Sequence, residues 1–220
     1  MSKKVLMVLT SHSTINGDQA TGLWLEEYAA PYATFIKNGF DVTVTSIKGG
    51  QVPIDPNSLP EEEKMEWQEA QALLSNTKQL SEDHISGFDA VFIPGGHGTV
   101  FDFPESSMLK RALQEHAEDG SIIASVCHGP SAFLEVTYKN GTPLVKGKKL
   151  TAFTDEEERE MQLDGAVPFL LETELKKIGG EFVRGEKWTD YSIRDGHLIT
   201  GQNPMSSQST ADKVVEALKE

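Results

Sequence analysis

Residues 121–130 have the sequence Ser-Ile-Ile-Ala-Ser-Val-Cys-His-Gly-Pro. The apolar run that ends at Val126 is typical of a strand buried on both faces of a parallel sheet. Gly129 and Pro130 follow at once, so the chain is expected to turn sharply into a helix at Cys127. In open parallel sheets, ligands bind at the carboxyl ends of such strands. This stretch therefore predicts both a parallel α/β fold and a site at Cys127.

The rest of the chain alternates strands and helices in the same way. Buried strands are predicted at Lys4–Leu9 and Phe88–Pro94, and apolar stripes with helical spacing lie between the strands. The two stripes consist of Trp24, Tyr28, Pro31 and Phe35, and of Met108, Leu109 and Leu113. This alternation favours an α/β fold with a doubly wound, mostly parallel, flavodoxin-like sheet and helices on both faces.

A length of 220 residues suits one α/β domain over residues 1–220. Residues 49–60 are rich in turn-forming residues and 61–74 predict an acidic surface helix, so an elaboration is expected around 49–80. Later elements are predicted as a strand near Leu150–Phe153, a helix from about Val167 to Ile178, short strands near Tyr191 and Leu198, and a helix after Pro204.

The chain is strongly acidic, with 34 acidic and 20 basic residues and a formal charge of −14. Such a charge repels phosphate backbones and anionic lipid, so neither nucleic acid nor membrane is expected as a partner. The apolar runs are too short to cross a bilayer, and the Met1-Ser2-Lys3-Lys4 start lacks an apolar signal segment. A cytoplasmic location is therefore expected.

The only cysteine, Cys127, excludes an intramolecular disulfide. Its thiol is either a small buried hydrophobe or a reactive group. Its place at a strand end, with Gly129 and Pro130 just after, favours reactivity. Amides at the start of the following helix are expected to favour a thiolate and to stabilise an oxyanion. The turn is analogous to a nucleophile elbow, with Gly129 relieving its crowding.

A second loop, Pro94–Thr99, follows another buried strand at the same sheet edge. Its glycines Gly95 and Gly96 would let backbone N–H groups approach a substrate oxygen. The spacing fails both the phosphate-loop and the dinucleotide patterns, so no nucleotide cofactor is expected. His97, His128 and Cys127 lack the spacing of a metal site, and no metal is predicted.

Two acidic stretches offer candidates for proton transfer. Helical angles place Glu26 toward solvent and Glu27 beside the buried stripe, where a half-buried carboxyl could exchange a proton with Cys127 or could simply be solvated. Thr154 and Glu157 match a capping box, which leaves Asp155 or Glu158 to orient His128.

Several blocks together resemble the ThiJ/PfpI superfamily, with its class I glutamine amidotransferase-like fold, in the heat-shock chaperone and glyoxalase III branch. The matching blocks are Thr21–Glu27 with Pro31, Gly39–Val42, Phe92–Gly98, Val126–Pro130, Thr151–Asp155 and Asp195–Pro204. They follow the family order over nearly the whole chain, although Ala152 stands where glycine is commoner.

The resemblance implies a role for each candidate residue. Cys127 would be the nucleophile, His128 the base of a catalytic triad and Glu158 its acid, since the family's acid lies four residues after the threonine that matches Thr154. Glu27 would be the carboxylic acid touching the sulfur. The backbone amides of Gly96 and His128, in the loop that contains Gly95, would bind the oxyanion.

The resemblance also implies an activity. Members of this branch convert methylglyoxal to D-lactate without glutathione or any cofactor, as D-lactate dehydratases, and some are described as protein deglycases or stress-response chaperones. We therefore expect a small dicarbonyl substrate such as methylglyoxal, with unfolded or glycated proteins as further partners, and a homodimer. The alternatives are a cysteine peptidase or amidase, a non-enzymatic holdase and a redox-sensing chaperone. A true glutamine amidotransferase is disfavoured, because His197 is followed by Leu198-Ile199 rather than by a glutamate two residues on.

Overall fold

The computed structural model describes residues 2–62 and 64–220. The described strands are β1 (Lys4–Leu9), β2 (Thr14–Ile15), β3 (Gln19–Ala20), β4 (Asp41–Ser46), β5 (Lys78–Gln79), β6 (Ala90–Ile93), β7 (Ile122–Val126), β8 (Lys149–Leu150), β9 (Glu181–Phe182), β10 (Ser192–Asp195) and β11 (Leu198–Gly201). The described α-helices are α1 (Leu25–Lys37), α2 (Gln68–Leu73), α3 (Thr99–Asp102), α4 (Ser107–Glu118), α5 (Asp155–Glu160), α6 (Leu171–Lys177) and α7 (Ser207–Lys219).

Seven strands form one sheet in the order β10-β11-β7-β6-β1-β4-β5. Every neighbouring pair is parallel except β10 with β11. Strand order reverses beside β1, because the chain passes first to β4 on one side and later to β6 on the other. Such a switch point opens a crevice at the carboxyl ends of the strands, where α/β proteins bind ligands. The predicted α/β fold with a mostly parallel sheet and packed helices is confirmed.

The sheet is covered on both faces, which explains the unbroken apolar strands. In β1, Val5, Met7 and Leu9 pack into one core cluster with α1 and α7, whereas Leu6 and Val8 pack into the other with α4 and α6. Successive side chains of a strand point to opposite faces. In a strand buried on both sides, every side chain is therefore buried, and apolar residues are favoured at every position.

Several predicted elements differ from the structure. The helix expected over Glu61–Leu74 is only a 3₁₀ turn at Met65–Trp67 followed by α2, because Lys64 is extended (φ −92°, ψ 109°) and breaks it; Glu63 lies outside the described residues. The helix expected from Val167 begins at Leu171, since a residue before proline, here Pro168, is pushed out of the helical region. The strand near Leu150–Phe153 is the short β8, which pairs with β9 outside the main sheet.

The helix expected after Cys127 is a five-residue 3₁₀ helix, Gly129–Phe133. A helix this short sums few peptide dipoles, so it supports a thiolate less than a full α-helix would. Among the described residues, no helix is long and apolar enough to cross a bilayer.

Candidate active site

Cys127 lies just beyond β7 with its backbone held in place from two directions. Its N–H donates to the Gly201 carbonyl at 3.0 Å, and its carbonyl accepts from the Phe153 N–H at 2.9 Å. Its φ of 60° is in the left-handed region, which costs a side-chain-bearing residue on the order of 1–3 kcal/mol. The surrounding hydrogen bonds therefore impose a strained turn that aims the sulfur away from the strand.

Close packing of the two loops brings the turn against β6. A Cβ atom on Gly129 would lie 2.4 Å from the Ile93 carbonyl oxygen, so the turn can pass β6 only with glycine there. A Cβ atom on Gly95 would lie 2.7 Å from the His128 nitrogen, which shows how tightly the Pro94–Thr99 loop meets the cysteine turn. The expectation that Gly129 relieves crowding is confirmed.

The Cys127 sulfur lies at one end of a buried chain of polar groups. Sγ is 3.3 Å from Nδ1 of His128, and Nε2 of His128 is 2.6 Å from Oε2 of Glu158. All three residues are at most 3% exposed. Because Nε2 donates to the carboxylate, Nδ1 is left unprotonated toward the sulfur, where it can accept the thiol proton.

Glu158 also accepts a second hydrogen bond, from Nε2 of His97 at 2.7 Å. Burial alone would raise the pKa of Glu158, but His128 and His97 outweigh burial and hold that pKa well below its usual range. Burial, with His97 adding to it, lowers the pKa of His128, so its imidazole is neutral at pH 7. Sequence reasoning did not give His97 this position; its place in the glycine-rich loop beside Gly96 was the signal that pointed to the site.

The neighbouring acids have other partners. Glu157 accepts from Thr154, confirming the capping box, and also from the side chains of Gln202 and Asn203. Asp155 pairs with Thr173. Of the two acids predicted as candidates to orient His128, Asp155 and Glu158, the structure brings only Glu158 against it.

Glu27 is fully buried rather than half-buried, at 0% exposure. Its Oε2 accepts from the Gly95 N–H at 2.8 Å, while Oε1 lacks a hydrogen-bond partner of its own among the described residues. Burial raises the pKa of Glu27 to about 8, and the adjoining Cys127 thiol and Gly95 N–H offset only part of that rise. Glu27 is therefore a neutral carboxylic acid beside the sulfur at pH 7.

The pKa of Cys127 is set by opposing influences. Burial raises the pKa of the Cys127 thiol well above its ordinary value, and Glu27 and Glu157 add to that rise. The His128 N–H, which lies against the sulfur, lowers the pKa only in part. Desolvation thus outweighs the amides at the start of the short 3₁₀ helix and raises the pKa of the thiol overall.

A cavity of about 250 Å³ opens onto this constellation. Cys127, His128, His97 and Gly96 line its floor. The walls are formed by Trp24, Phe153, Met161, Trp188, Pro204 and Met205. The apolar walls lower the local dielectric and so strengthen electrostatic interactions at the sulfur.

Within the part of the chain that the structure describes, His97, His128 and Glu158 could hold a metal ion, since their ligand atoms lie within 4.8 Å of one another. The two hydrogen bonds to Glu158 already satisfy both imidazole Nε2 atoms. The absence of a metal requirement stays a prediction.

Comparison with known proteins shows which family has this architecture. The model of the DJ-1/PfpI family matches residues 19–217. The chain belongs to the DJ-1/PfpI family. Among its DJ-1/PfpI relatives, the glutathione-independent glyoxalase HSP31 of Saccharomyces cerevisiae is 34% identical, with 99% of this chain and 98% of the relative covered.

Two solved structures of the family are similar throughout. Glyoxalase III from Candida albicans is 30% identical with a TM-score of 0.87, covering 98% of this chain and 97% of that one. The Rapid Encystment Protein 24 kDa of Francisella tularensis is 33% identical with a TM-score of 0.93, covering 98% and 99%. The predicted membership of this superfamily and branch is confirmed at the level of family and curated relatives.

Proposed function

We propose that this protein is a cysteine-dependent, glutathione-independent glyoxalase that converts methylglyoxal to D-lactate. One observation carries the proposal: a buried thiol lies between a neutral imidazole and a neutral carboxylic acid in a small apolar cavity. The chain is similar over nearly its whole length to HSP31 and to glyoxalase III of Candida albicans. Both of these proteins are named as glyoxalases, and this similarity supports the proposal.

In the first step, Sγ of Cys127 attacks the aldehyde carbon of methylglyoxal and a C–S bond forms. Nδ1 of His128, 3.3 Å from the sulfur, takes the thiol proton, and Glu158 stabilises the resulting imidazolium. The aldehyde oxygen then takes the proton of the neutral Glu27 carboxyl, which gives a hemithioacetal and leaves Glu27 as a carboxylate. The N–H groups of Gly96 and His128 are the donors we propose for the developing negative charge on that oxygen.

In the second step, the Glu27 carboxylate takes the C–H proton of the former aldehyde carbon and returns it to the neighbouring carbon, while the hydroxyl proton of the hemithioacetal passes to the ketone oxygen. The product is a thioester of lactate on Cys127, and water then cleaves the C–S bond to release lactate and restore the thiol. Such a shift needs a group that both gives and takes protons near neutral pH, and Glu27, with its pKa raised to about 8, is that group. The sum is methylglyoxal plus water giving lactic acid, so no cofactor is required.

Product analysis tests the proposal. Methylglyoxal and glyoxal are incubated without glutathione with the wild type, Cys127→Ala and Glu27→Gln, and the products are resolved by chiral chromatography. We expect D-lactate and glycolate from the wild type and neither above background from the variants. Racemic or L-lactate, or full activity in Glu27→Gln, would overturn the mechanism.

A cysteine amidase or peptidase would use the same nucleophile. The size of the cavity, about 250 Å³ and walled by Trp188 and Met205, favours a small molecule over a peptide segment. Hydrolysis of peptide or amide substrates faster than methylglyoxal conversion would reverse this ranking.

The deglycase, chaperone and homodimer predictions remain predictions. Suppression of aggregation by Cys127→Ala, compared with that by the wild type, separates a holdase activity from catalysis. Equal protection by both proteins would place the chaperone activity outside the thiol chemistry.

A further inference from the structure

The walls of the cavity are far more apolar than methylglyoxal requires. Methylglyoxal offers only a methyl group beyond its two carbonyls, whereas about 250 Å³ has the volume of roughly eight waters of liquid. The six wall residues are Trp24, Phe153, Met161, Trp188, Pro204 and Met205. A methyl group leaves most of that surface without a partner, and a larger apolar group would cover it.

Trp188 is held in position at the mouth. Its backbone N–H donates to Oε1 of Glu157 at 3.0 Å, and its indole Nε1 donates to Oε2 of Glu160 at 2.7 Å. Its φ of 55° is in the left-handed region, so its backbone is strained as well as hydrogen-bonded. The indole is nevertheless 37% exposed, an apolar surface turned toward the opening rather than into the core.

The indole continues an aromatic wall down to the reactive groups. Trp188 meets Phe153 edge to face at 5.5 Å between ring centroids, and Phe153 lies 4.4 Å from the imidazole of His128. Met205, 51% exposed, borders the same cavity, and a thioether adapts its shape to an aromatic partner. A flat ring entering between these side chains would reach the floor without leaving the apolar surface.

The charges around the cavity also favour an uncharged group on the substrate. Among the described residues, those that line the cavity include neither lysine nor arginine, and the carboxylate of Glu158 lies directly behind two of them, His97 and His128. The chain as a whole has a formal charge of −14. An anionic group on the substrate would lose its hydration here and gain no partner.

We propose that the site selects α-oxoaldehydes whose second carbonyl carries an uncharged apolar or aryl group, and that Trp188 and Met205 set this preference. The inference rests on the proposed function, because the same Cys127 chemistry acts on the substrate: the aryl compound plus water gives the aryl hydroxy acid. Phenylglyoxal, which would give mandelate, is the probe.

The kinetic test compares kcat/KM for phenylglyoxal, methylglyoxal and para-carboxyphenylglyoxal. In the wild type we expect phenylglyoxal to exceed methylglyoxal by about tenfold, as gains from a few extra apolar groups in a pocket suggest, and the carboxylated ring to lose that advantage. Trp188→Ala and Met205→Ala should bring the phenylglyoxal to methylglyoxal ratio toward one, while Trp188→Phe restores most of it. Met65→Ala, at a methionine 75% exposed and outside the cavity, is the matched control and should leave the ratio unchanged.

A binding test separates this inference from the proposed function. Acetylbenzoyl and diacetyl are diketones that lack the aldehyde, and their affinities for Cys127→Ala and for Cys127→Ala with Trp188→Ala can be measured by calorimetry. We expect acetylbenzoyl to bind about tenfold more tightly than diacetyl, and only when Trp188 is present. If no aldehyde is turned over but this difference holds, the proposed function fails and the apolar preference stands. Equal affinities, with a kinetic ratio insensitive to Trp188 and Met205, would overturn the inference.

Discussion

Glu27 is the residue whose burial shapes the electrostatics of the site. Its pKa is about 8 in the folded chain against an ordinary 4.5, so the unfolded chain releases this proton at a lower pH than the folded chain does. The contribution of Glu27 to stability is therefore fully present below about pH 4.5 and is lost as the pH rises to about 8. We predict that Glu27→Gln, which stays neutral, gains stability relative to the wild type over that range, on the order of a few kcal/mol at pH 8.

Urea unfolding at pH 4.5, 6 and 8 measures the effect. The matched control is Glu26→Gln, one position along the helix and only partly buried, whose free energy of unfolding should follow the wild type. A Glu27→Gln advantage that does not grow with pH would contradict a neutral Glu27.

His97 acts through Glu158 rather than on the substrate's reacting atoms. Its Nε2 donates to Glu158, which in turn orients His128, so His97→Leu removes one of the two donors that lower the pKa of Glu158. We predict a kcat lower by roughly tenfold, or about 1.4 kcal/mol, with KM for methylglyoxal little changed.

The pH profile of kcat/KM distinguishes this positioning role from simple loss of packing. With one donor gone, the pKa of Glu158 rises, and the acid limb of the profile should move to higher pH in His97→Leu. His197→Leu, at an exposed histidine, is the control and should reproduce the wild-type profile. If kcat/KM of His97→Leu is lower at every pH but its acid limb does not move, His97 has only a structural role.

At the scale of single elements, the turn after β7 determines where the sulfur lies. A Cβ atom on Gly129 would come within 2.4 Å of both the Ile93 carbonyl oxygen and Oγ of Ser125. We predict that Gly129→Ala displaces the turn, lowers the free energy of unfolding by about 1–3 kcal/mol and depresses activity further than that loss explains.

Thermal unfolding with parallel activity assays tests this prediction. Gly165→Ala is the matched control, because an added Cβ atom there would meet nothing within 4 Å. A Gly129→Ala protein with wild-type activity would show that the turn tolerates movement.

The sequence predicts those elements whose pattern is determined locally. β1 has the predicted bounds, β7 ends at Val126 as predicted, and α1 contains the predicted stripe from Tyr28 to Phe35, because burial on both faces or along one stripe leaves an unbroken pattern. β4, Asp41–Ser46, was not singled out as a strand, since its alternating polar residues look like a surface segment until its pairing with β1 is known. The paired strands β2 and β3 have two residues each, too short for any period to appear.

The site was predictable to the same extent. Cys127, Glu27 and the Gly95-Gly96 loop follow from strand ends and one helical stripe, and the structure brings them together. Choosing Glu158 over Asp155 needed the family resemblance, because neighbouring positions in the first turn of a helix differ only in what packs against each. The resting state of the thiol could not be predicted, since desolvation of Cys127 depends on the tertiary packing around it.

At the scale of the whole molecule, His116 is a buried histidine apart from the active site. It is 1% exposed, neither ring nitrogen makes a well-formed hydrogen bond to any described residue, and burial lowers its pKa. A lowered folded pKa gives stability that is present above about pH 6.5 and lost as the pH falls, because the unfolded chain gains the proton first. We predict that His116→Leu is more stable than the wild type by about 1–3 kcal/mol, with the difference growing below pH 6.5.

Free energies of unfolding for both proteins at pH 5, 6 and 8 provide the comparison. His197→Leu again serves as the control for removal of an exposed imidazole. A His116→Leu protein that loses stability more steeply with acid than the wild type would show that the ring is charged and partnered in the fold.

The proposed catalysis depends on the thiol of Cys127, held 3.3 Å from a neutral imidazole on a strained turn. The most direct test is the initial rate of D-lactate formation from methylglyoxal, without glutathione, by the wild type and by Cys127→Ser in parallel. Serine keeps the size and the hydrogen bond but is a far weaker nucleophile at its own pKa, so we predict a rate at least about a thousandfold lower. D-Lactate formed by Cys127→Ser at a rate comparable to the wild type would contradict covalent catalysis by Cys127.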